Sequence, residues 1–297
     1  MPLISDPSAV RKAVNAAPPR PACTAVLMAD PAHFRVESVI NPWMADAQGR
    51  LNVVDPARAR AQWNTLKAAY EALNVKVEVI HGKPGLPDFC FCANQAITFA
   101  RDGAPGAVLS HMRSETRAQE VPIFEAWFRE HGYATHKLPP QAAPFEGTGD
   151  AIWHHGRRVI WGGVGPRTGA AAWEHVSRIT RADVIPLNLV DPRYYHLDTA
   201  LCVLNRHAAL YVAAAFDADS RSRLHQGFDD LIALEFDDAA NFASNAHCPD
   251  DRNVLIHEGS VATATTLTRR GFEVIELDTS EFMKSGGTVF CLKQELA

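Results

Sequence analysis

Hydrophobic and polar positions along this chain follow two periods. Short apolar runs such as Lys76–Ile80 and Asn253–His257 have the length and the β-branched content of strands. Longer segments such as Pro56–Leu73 repeat apolar residues three and four positions apart, as amphipathic helices do. The further predicted strands are Thr24–Met28, Ala96–Ala100, Ala107–His111, Thr135–Leu138, Ala151–His154, Arg158–Trp161, Val184–Leu189, Ala200–Leu204, Ala209–Ala214, Leu231–Leu234, Glu273–Leu277 and Thr288–Cys291. The further predicted helices are Val10–Ala17, Ser114–Glu130, Gly169–Arg181, Ser220–Phe228, Asp237–Ala243 and Ser260–Arg270.

Because helices and strands interleave throughout, the pattern predicts an α/β fold. Short turns such as Arg101–Gly106 predict hairpins, which argues against a purely parallel, doubly wound sheet. Residues 1–22 are rich in Pro and Ala, and we predict a peripheral segment there. Residues 23–297 are then predicted to form a single domain.

Composition excludes several classes of protein. The chain has 297 residues, a net charge of −5 and no basic block, so we expect no nucleic-acid partner. No apolar stretch is long enough to span a membrane, and no signal peptide is apparent. Six cysteines without a Cys-x-x-Cys spacing predict a reducing, cytoplasmic location. Thirteen histidines show no zinc-ligand spacing, so we expect no metal.

Candidate chemistry lies near the end of the chain, in Lys284-Ser-Gly-Gly-Thr-Val-Phe-Cys-Leu292. Paired glycines allow left-handed backbone and close approach to the main chain, and Cys291 follows them. His196, in Tyr-Tyr-His-Leu-Asp, and Glu146, in Phe-Glu-Gly-Thr-Gly-Asp, are polar groups that a thiolate nucleophile would need. The alternatives are a buried apolar cysteine, a histidine at a strand edge and a solvated acidic loop.

These segments, taken in order, resemble the guanidine-modifying superfamily, which includes arginine deiminases, dimethylarginine dimethylaminohydrolases, arginine dihydrolases and amidinotransferases. Further matching segments extend the resemblance over most of the chain: Ile40-Asn-Pro-Trp-Met44, Leu86-Pro-Asp-Phe-Cys-Phe-Cys-Ala-Asn94, Arg113-Ser-Glu-Thr-Arg117 and Gly165-Pro-Arg-Thr168. The resemblance implies a five-bladed α/β propeller of ββαβ modules with its site at the central axis. It also implies arginine or a methylated arginine as the small-molecule partner, with no metal and no organic cofactor. A homo-oligomer is compatible with the sequence.

The resemblance also implies residue roles. Cys291 is expected to attack the guanidinium carbon, and His196 to protonate the leaving amine and then activate water. Glu146 is expected to be the acidic partner of either the substrate or the histidine. Asp198 is expected to hold the guanidinium, and Asp88 is expected to be a further substrate-binding residue.

Arginine binds carboxylate through two parallel hydrogen bonds, so Arg167 and Arg113 are candidates for the substrate carboxylate, with Arg117 as the alternative. In place of these roles, Arg117 could pair with Glu120 on a surface helix. The family's Glu-Arg-Thr pattern has a proline at position 166 here, which is a departure.

Asn94 stands where deiminases and dimethylarginine hydrolases commonly carry Asp, and Asn41 is expected to be a second neutral ligand. Unlike a carboxylate, an asparagine also donates hydrogen bonds, so Asn94 suits a neutral ureido intermediate. We therefore expect an arginine dihydrolase that yields ornithine, ammonia and carbon dioxide. The alternatives are a dimethylarginine dimethylaminohydrolase, an arginine deiminase, an amidinotransferase and a non-catalytic arginine-binding protein. A structural alternative for both asparagines is a role in a turn.

Overall fold

The computed structural model describes residues 3–297. Its helices are α1 (Pro7–Ala16), α2 (Pro56–Ala72), α3 (Glu115–Ala118), α4 (Val121–Glu130), α5 (Ala172–Thr180), α6 (Ala218–Gly227), α7 (Phe236–Ala240), α8 (Val261–Arg269) and α9 (Ser280–Met283). Its strands are β1 (Ala25–Ala29), β2 (Lys76–Ile80), β3 (Ala96–Arg101), β4 (Ala104–Leu109), β5 (Ala134–Lys137), β6 (Ala151–Trp153), β7 (Val159–Val164), β8 (Asp183–Asn188), β9 (Leu201–Val203), β10 (Ala208–Tyr211), β11 (Asp230–Ala233), β12 (Asn253–His257), β13 (Glu273–Leu277) and β14 (Gln294–Glu295).

Within residues 3–297 the strands form five separate small sheets. Three of them share one pattern: an antiparallel pair is followed, after a helical connection, by a third strand parallel to the second. These are β3–β4–β5, β6–β7–β8 and β9–β10–β11. The pattern confirms the α/β class and the hairpins that the sequence predicts.

The sheet β14–β1–β2 follows the same pattern with strands from the two ends of the described chain. Strand β1 pairs in parallel with β2 across helix α2, and antiparallel with β14, where Val26 opposes Glu295. The sheet β12–β13 is a parallel pair connected through α8. Strand β14 therefore brings the segment that carries Cys291 back against the beginning of the fold.

The predicted helix Ser114–Glu130 is wrong as a single element, because the structure divides it into α3 and α4. Pro122 lies at the start of α4. A proline there has no N–H for the carbonyl of Ala118, and its ring would clash with that carbonyl in a continuous helix. Arg117, which lies in α3 just before the break, has its side chain buried in the interior.

The predicted strand Thr288–Cys291 is also wrong, because these residues form turns. Their backbone is bound to one residue, Asn245: the N–H of Phe290 donates to its carbonyl oxygen (2.9 Å), and the N–H of Thr288 donates to its side-chain Oδ1 (2.9 Å). A side chain that satisfies the backbone in this way replaces the strand ladder that the apolar run suggested.

Helix α1 lies within the segment predicted to be peripheral. Its side chains Val10 and Val14 are buried in a hydrophobic cluster that also contains Trp161 and Phe228. Arg11 on its outer face pairs with Asp229 at 2.7 Å. The division at residue 22 stays a prediction, but α1 contributes apolar surface to the core.

No helix between residues 3 and 297 has both the length and the apolar character needed to cross a bilayer.

Candidate active site

The glycine pair shapes the turn that carries the candidate nucleophile. Gly286 has φ +85°, the left-handed backbone that the sequence predicts for this pair. A Cβ on Gly287 would lie 2.9 Å from the Cβ of Cys291 and 2.9 Å from the ring of Phe91. The close approach at Gly287 is therefore made by the protein's own side chains, and it lets Cys291 pack tightly against Phe91.

The Cys291 thiol is held between two polar side chains. Sγ donates to Oδ2 of Asp198 (3.1 Å), and Nδ2 of Asn245 donates to Sγ (3.3 Å). Burial and the adjacent Asp198 carboxylate hold the pKa of the Cys291 thiol well above its usual value, whereas the Asn245 hydrogen bond opposes them. The thiol is thus protonated in this arrangement, and a cation beside it would favour the thiolate.

In its contact with Cys291, Asp198 uses one of its two carboxylate oxygens. Its Oδ1 is buried and has no hydrogen-bond partner among residues 3–297. Burial raises the pKa of Asp198 to about 7, against the Cys291 hydrogen bond and the charge of Lys293. The site therefore contains a free acceptor next to the sulfur, and a bound cation would favour its charged form.

His196 and Glu146 form a buried pair. His196 Nε2 lies 2.8 Å from Oε2 of Glu146, and Nη1 of Arg167 donates to the same oxygen at 2.9 Å. Burial alone would raise the pKa of Glu146, but the hydrogen bond and charge of His196 and the charge of Arg167 lower it to about 2. Of the two partners expected for Glu146, the structure brings the histidine into contact.

The hydrogen-bond pattern defines the proton positions on the neutral imidazole. Because Glu146 accepts, the Nε2 atom of His196 carries the proton. Its Nδ1 faces Nδ2 of Asn94 at 3.5 Å and keeps a lone pair on that side. The side of His196 that could take a proton therefore faces Asn94.

Asp150 positions the histidine segment and does not line the cavity. Its Oδ1 accepts from the N–H of Leu197 (3.0 Å), and its Oδ2 accepts from the hydroxyl of Thr168 (2.7 Å). Leu197–Thr199 forms a short 3₁₀ turn directly after His196. Asp150 thus connects this turn to Thr168 through its two carboxylate oxygens.

Arg117 fixes the orientation of Asn94. Its Nη1 donates to Oδ1 of Asn94 (2.7 Å), and its Nη2 donates to Oε2 of Glu120 (3.0 Å). Because a guanidinium can only donate, the atom of Asn94 that faces it must be the oxygen, and the amide nitrogen points to His196. Arg117 is buried and its charge is matched by Glu120, as the i,i+3 pairing suggested, although the pair lies inside the protein.

Asn41 and Asp88, from two other loops, both contact Ser285 in the turn that leads to Cys291. Nδ2 of Asn41 donates to the carbonyl of Ser285 (2.9 Å), and the hydroxyl of Ser285 donates to Oδ1 of Asp88 (3.2 Å). Burial raises the pKa of Asp88. The hydroxyl of Tyr195 donates to the carbonyl of Gly286 (2.6 Å), so the turn is held on both sides.

Arg113 lies outside this cluster. Its side chain is exposed and donates to the carbonyl of Pro166 (2.8 Å), while its backbone N–H donates to Oε1 of Glu146 (2.9 Å). Arg167 is buried, where it donates to the carbonyl of Ile40 at 2.6 Å. The two arginines therefore occupy successive positions on a path from the surface inward.

Two cavities lie along this path. The inner cavity has about 20 Å³ of free space, room for one water molecule, and its lining is Ile40, Asn41, Met44, Asp88, Phe91, Asn94, Arg117, Arg167, Tyr195, His196, Ser285 and Cys291. The outer cavity has about 420 Å³, and its lining is Ile40, Asn41, Pro42, Arg113, Ser114, Pro166, Arg167, Pro192 and Tyr195. Residues common to both linings, such as Arg167 and Tyr195, lie between the two cavities.

The predicted site residues are thus largely one cluster: Cys291, His196, Glu146, Asn41, Asp88, Asn94, Arg167 and Asp198. Two contacts of this cluster were absent from the sequence predictions. Asn245 is an isolated asparagine with no motif, and its partners are far away in the chain. Tyr195 could have been found from its position next to His196, but a tyrosine beside a histidine is common and does not by itself indicate a site.

One grouping of potential metal ligands among residues 3–297 lies elsewhere, at Cys23, His247 and Glu295. Glu295 already pairs with Arg20 (2.7 Å) and Lys293 (3.5 Å). Two cations therefore neutralise that carboxylate, and the grouping does not contribute to the cavity around Cys291.

Comparison with known proteins identifies the relatives of this chain. Residues 30–297 match the family model for N,N dimethylarginine dimethylhydrolase, eukaryotic. The chain is 36% identical over 269 residues to the N(G),N(G)-dimethylarginine dimethylaminohydrolase of Mycobacterium tuberculosis, covering 91% of this chain and 84% of that protein. It is 35% identical over 269 residues to the bifunctional arginine dihydrolase/ornithine cyclodeaminase ArgZ of Synechocystis. That match covers 90% of this chain but 37% of the bifunctional protein.

Solved structures agree with these matches. The N-terminal domain of ArgZ covalently bound to a reaction intermediate superimposes with a TM-score of 0.86 at 33% identity, covering 92% of this chain and 97% of that one. The same domain bound to substrate gives a TM-score of 0.85, covering 91% of this chain and 97% of that one, again at 33% identity. The family model covers residues 30–297, and the chain belongs to the dimethylarginine dimethylaminohydrolase-like family of the guanidine-modifying superfamily, together with these arginine dihydrolases.

Proposed function

We propose that this protein is a Cys-dependent hydrolase of the guanidino group of L-arginine or an arginine derivative, and that its activity is that of an arginine dihydrolase. One observation carries the proposal: the Cys291 sulfur lies against Asp198, whose second oxygen is a buried acceptor with no partner among residues 3–297. A guanidinium presents planar N–H donors and a positive charge, so it satisfies that oxygen and stabilises the thiolate together.

The arrangement supports a covalent sequence. The Cys291 thiol gives its proton to Nδ1 of His196 as its sulfur attacks the guanidinium carbon, and the tetrahedral adduct expels an amine that takes that proton from Nδ1. His196 then removes a proton from water, and that water displaces the sulfur from the thiouronium carbon and leaves a ureido group. Glu146 holds the imidazole and stabilises its charged form throughout.

The two arginines support an orientation for the substrate. Its guanidinium would enter the inner cavity, and its α-carboxylate would stay between Arg167 and Arg113 at the outer cavity. Losing a charge-assisted contact costs about 1.5–3 kcal/mol, so agmatine, which lacks the carboxylate, is expected to have a kcat/KM about 10- to 150-fold below that of arginine. Agmatine hydrolysed as fast as arginine would reject this orientation.

Asn94 favours the dihydrolase over the related activities. Its fixed amide donor can bind the oxygen of a ureido group, which keeps that intermediate for a second attack. Two water molecules would then convert arginine to ornithine, two ammonia molecules and carbon dioxide. A dimethylarginine dimethylaminohydrolase is the second candidate, because the matching family model and the M. tuberculosis relative bear that name.

A product analysis tests the function. Separate incubations with arginine, monomethylarginine and asymmetric dimethylarginine, resolved by mass over time, are expected to show ornithine from arginine with little free citrulline. Stoichiometric citrulline would mean a deiminase, and methylamine or dimethylamine without arginine turnover would mean a methylarginine hydrolase. An amidino group passed to an added amine would mean an amidinotransferase, and no turnover of any substrate would mean a binding protein.

The nucleophile is tested separately. Cys291→Ser should bind arginine and fold as the wild type does but lose nearly all turnover, and denaturation during turnover should trap an adduct on the Cys291 peptide. Cys248→Ser, at another buried cysteine, is the matched control and should keep its activity. An adduct on any other cysteine would overturn the assignment.

We also propose that the five sheets are the five blades of an α/β propeller around this cavity, within a domain over residues 23–297 that carries a peripheral segment at 1–22. The repeated pairing pattern supports it. A cytoplasmic location, the lack of a metal or organic cofactor and a homo-oligomer stay predictions from the sequence.

A further inference from the structure

Asn245 is a buried asparagine outside every motif of the sequence, yet it contacts the reactive sulfur. It ends the short 3₁₀ turn Ala243–Asn245 and is fully buried. Its Nδ2 donates to the backbone carbonyl of Asp198 (2.9 Å) and to Sγ of Cys291 (3.3 Å). One side chain therefore connects the segment of Asp198 with the thiol.

The orientation of this amide follows from its partners. Its oxygen accepts from the N–H of Thr288 (2.9 Å) and from the Thr288 hydroxyl (3.0 Å), with the N–H of Cys291 at 3.4 Å. A backbone N–H can only donate, so Oδ1 must face these groups and Nδ2 must face the sulfur. Both the oxygen and the nitrogen of the amide are hydrogen-bonded in this orientation. The flipped orientation would place the nitrogen against N–H donors.

We propose that Asn245 is a catalytic residue, whose amide N–H stabilises the thiolate of Cys291. The inference rests on the proposed role of Cys291 and adds a residue to it. Asp198 accepts from the thiol and favours the protonated sulfur, whereas an N–H donor gains strength when the sulfur becomes negative. Asn245 therefore stabilises the anion that a substrate cation must create.

The other charged groups around the sulfur stay constant in the test. Asp198 faces it directly, and Asp88, Arg117, Arg167 and His196 face it from the other walls of the inner cavity. Because none of these changes when Asn245 is replaced, a change in thiol ionisation belongs to Asn245.

The test measures thiol ionisation without turnover. Iodoacetamide alkylates the thiolate, forming a carbon–sulfur bond as iodide leaves, and mass spectrometry of the Cys291 peptide gives its rate at each pH. Asn245→Ala removes the donor without adding a charge, so the midpoint of the pH–rate curve should move about one to two pH units to the alkaline side. Asn245→Asp should move it further in the same direction, because it removes the donor and adds a negative charge beside the sulfur.

Thr288→Val is the matched control, because it removes hydroxyl bonds to Asn245 and leaves the donor on the sulfur. It should keep the wild-type midpoint even where it lowers thermal stability. Thermal transitions establish first that each variant folds, and Asn245→Ala, whose deleted amide leaves space for water, supplies the result where the aspartate variant does not fold. A wild-type midpoint in a folded Asn245 variant, or an equal shift in Thr288→Val, would overturn the proposal. Since alkylation needs no substrate, it stays interpretable even if Cys291→Ser keeps full activity and the proposed function fails.

Discussion

At the residue scale, we propose that the amide of Asn94 decides how far the reaction proceeds. Arg117 donates to the side-chain oxygen of Asn94, so the amide nitrogen of Asn94 is the group that faces the cavity. An aspartate there would pair with Arg117 and lose the donor, which leaves a neutral ureido group without a partner for its oxygen.

Asn94→Asp is therefore expected to release citrulline and to stop after one ammonia per arginine. Time-resolved mass analysis would show citrulline rising while ornithine falls. Asn15→Asp, the same substitution at an exposed position of α1, should leave the product ratio unchanged. An aspartate variant that still yields ornithine would separate Asn94 from the second step.

The raised pKa of Asp198 predicts a pH dependence of binding. Below a pKa of about 7 the carboxyl is protonated and must lose its proton to hold a cation. The Kd of Cys291→Ser for arginine should thus fall with rising pH, by up to about tenfold per unit, and level off above 7.

Calorimetric titration between pH 5.5 and 8.5 would check this. Using the serine variant removes both chemistry and thiol ionisation. Adding Asp198→Asn should flatten the profile between pH 6 and 8, and a slope that persists in the double variant would assign it to another group.

At the element scale, the junction between α3 and α4 supports the site. Arg117 in the first helix points inward and pairs with Glu120, the residue at the start of the second. The pair belongs to the scaffold and at the same time orients Asn94.

Arg117→Leu should lower the free energy of unfolding by about 3–5 kcal/mol, since it leaves Glu120 buried without its cation. Arg117→Leu with Glu120→Gln should recover part of that stability. Both variants should release more citrulline, because Asn94 loses the group that orients it. Denaturant unfolding and product ratios together separate the two effects, and wild-type ratios in the double variant would contradict the orienting role.

At this scale, the sequence predicts some elements correctly and misses others. The sequence pattern locates β2, β12 and β13 with the bounds that the structure has, because these strands are short segments rich in Val, Leu and Ile between polar turns. It misplaces Thr288–Cys291, since an apolar run does not reveal that Asn245 will bind its backbone. Motifs with neighbouring chemistry, such as that of His196 and Asp198, are recognisable, whereas a contact between positions 245 and 291 depends on tertiary structure alone.

At the scale of the whole molecule, the side chains through which α1 stabilises the core are different from those that line the site. Helix α1 covers part of the core with Val10 and Val14 and does not line either cavity around the site. Changes in α1 should therefore alter stability without altering turnover.

Val10→Ala should lower the free energy of unfolding by about 1.5–3 kcal/mol, through lost burial and a residual cavity, and leave kcat unchanged. Val53→Ala, at a side chain that is 83% exposed, is the matched control and should change stability by less than about 0.5 kcal/mol. Thermal unfolding and steady-state rates would measure both. A lower kcat in folded Val10→Ala would mean that α1 influences the site.

The pairing of β14 with β1 has a consequence for the order of folding. Val26 and Glu295 lie at opposite ends of the sequence, so their contact closes a very large loop and is entropically the costliest to form. Cys291 belongs to the segment that this closure delivers. We expect that an intermediate with only the other four sheets complete would leave Cys291 outside its site, so reactivity should appear only once this long-range contact forms.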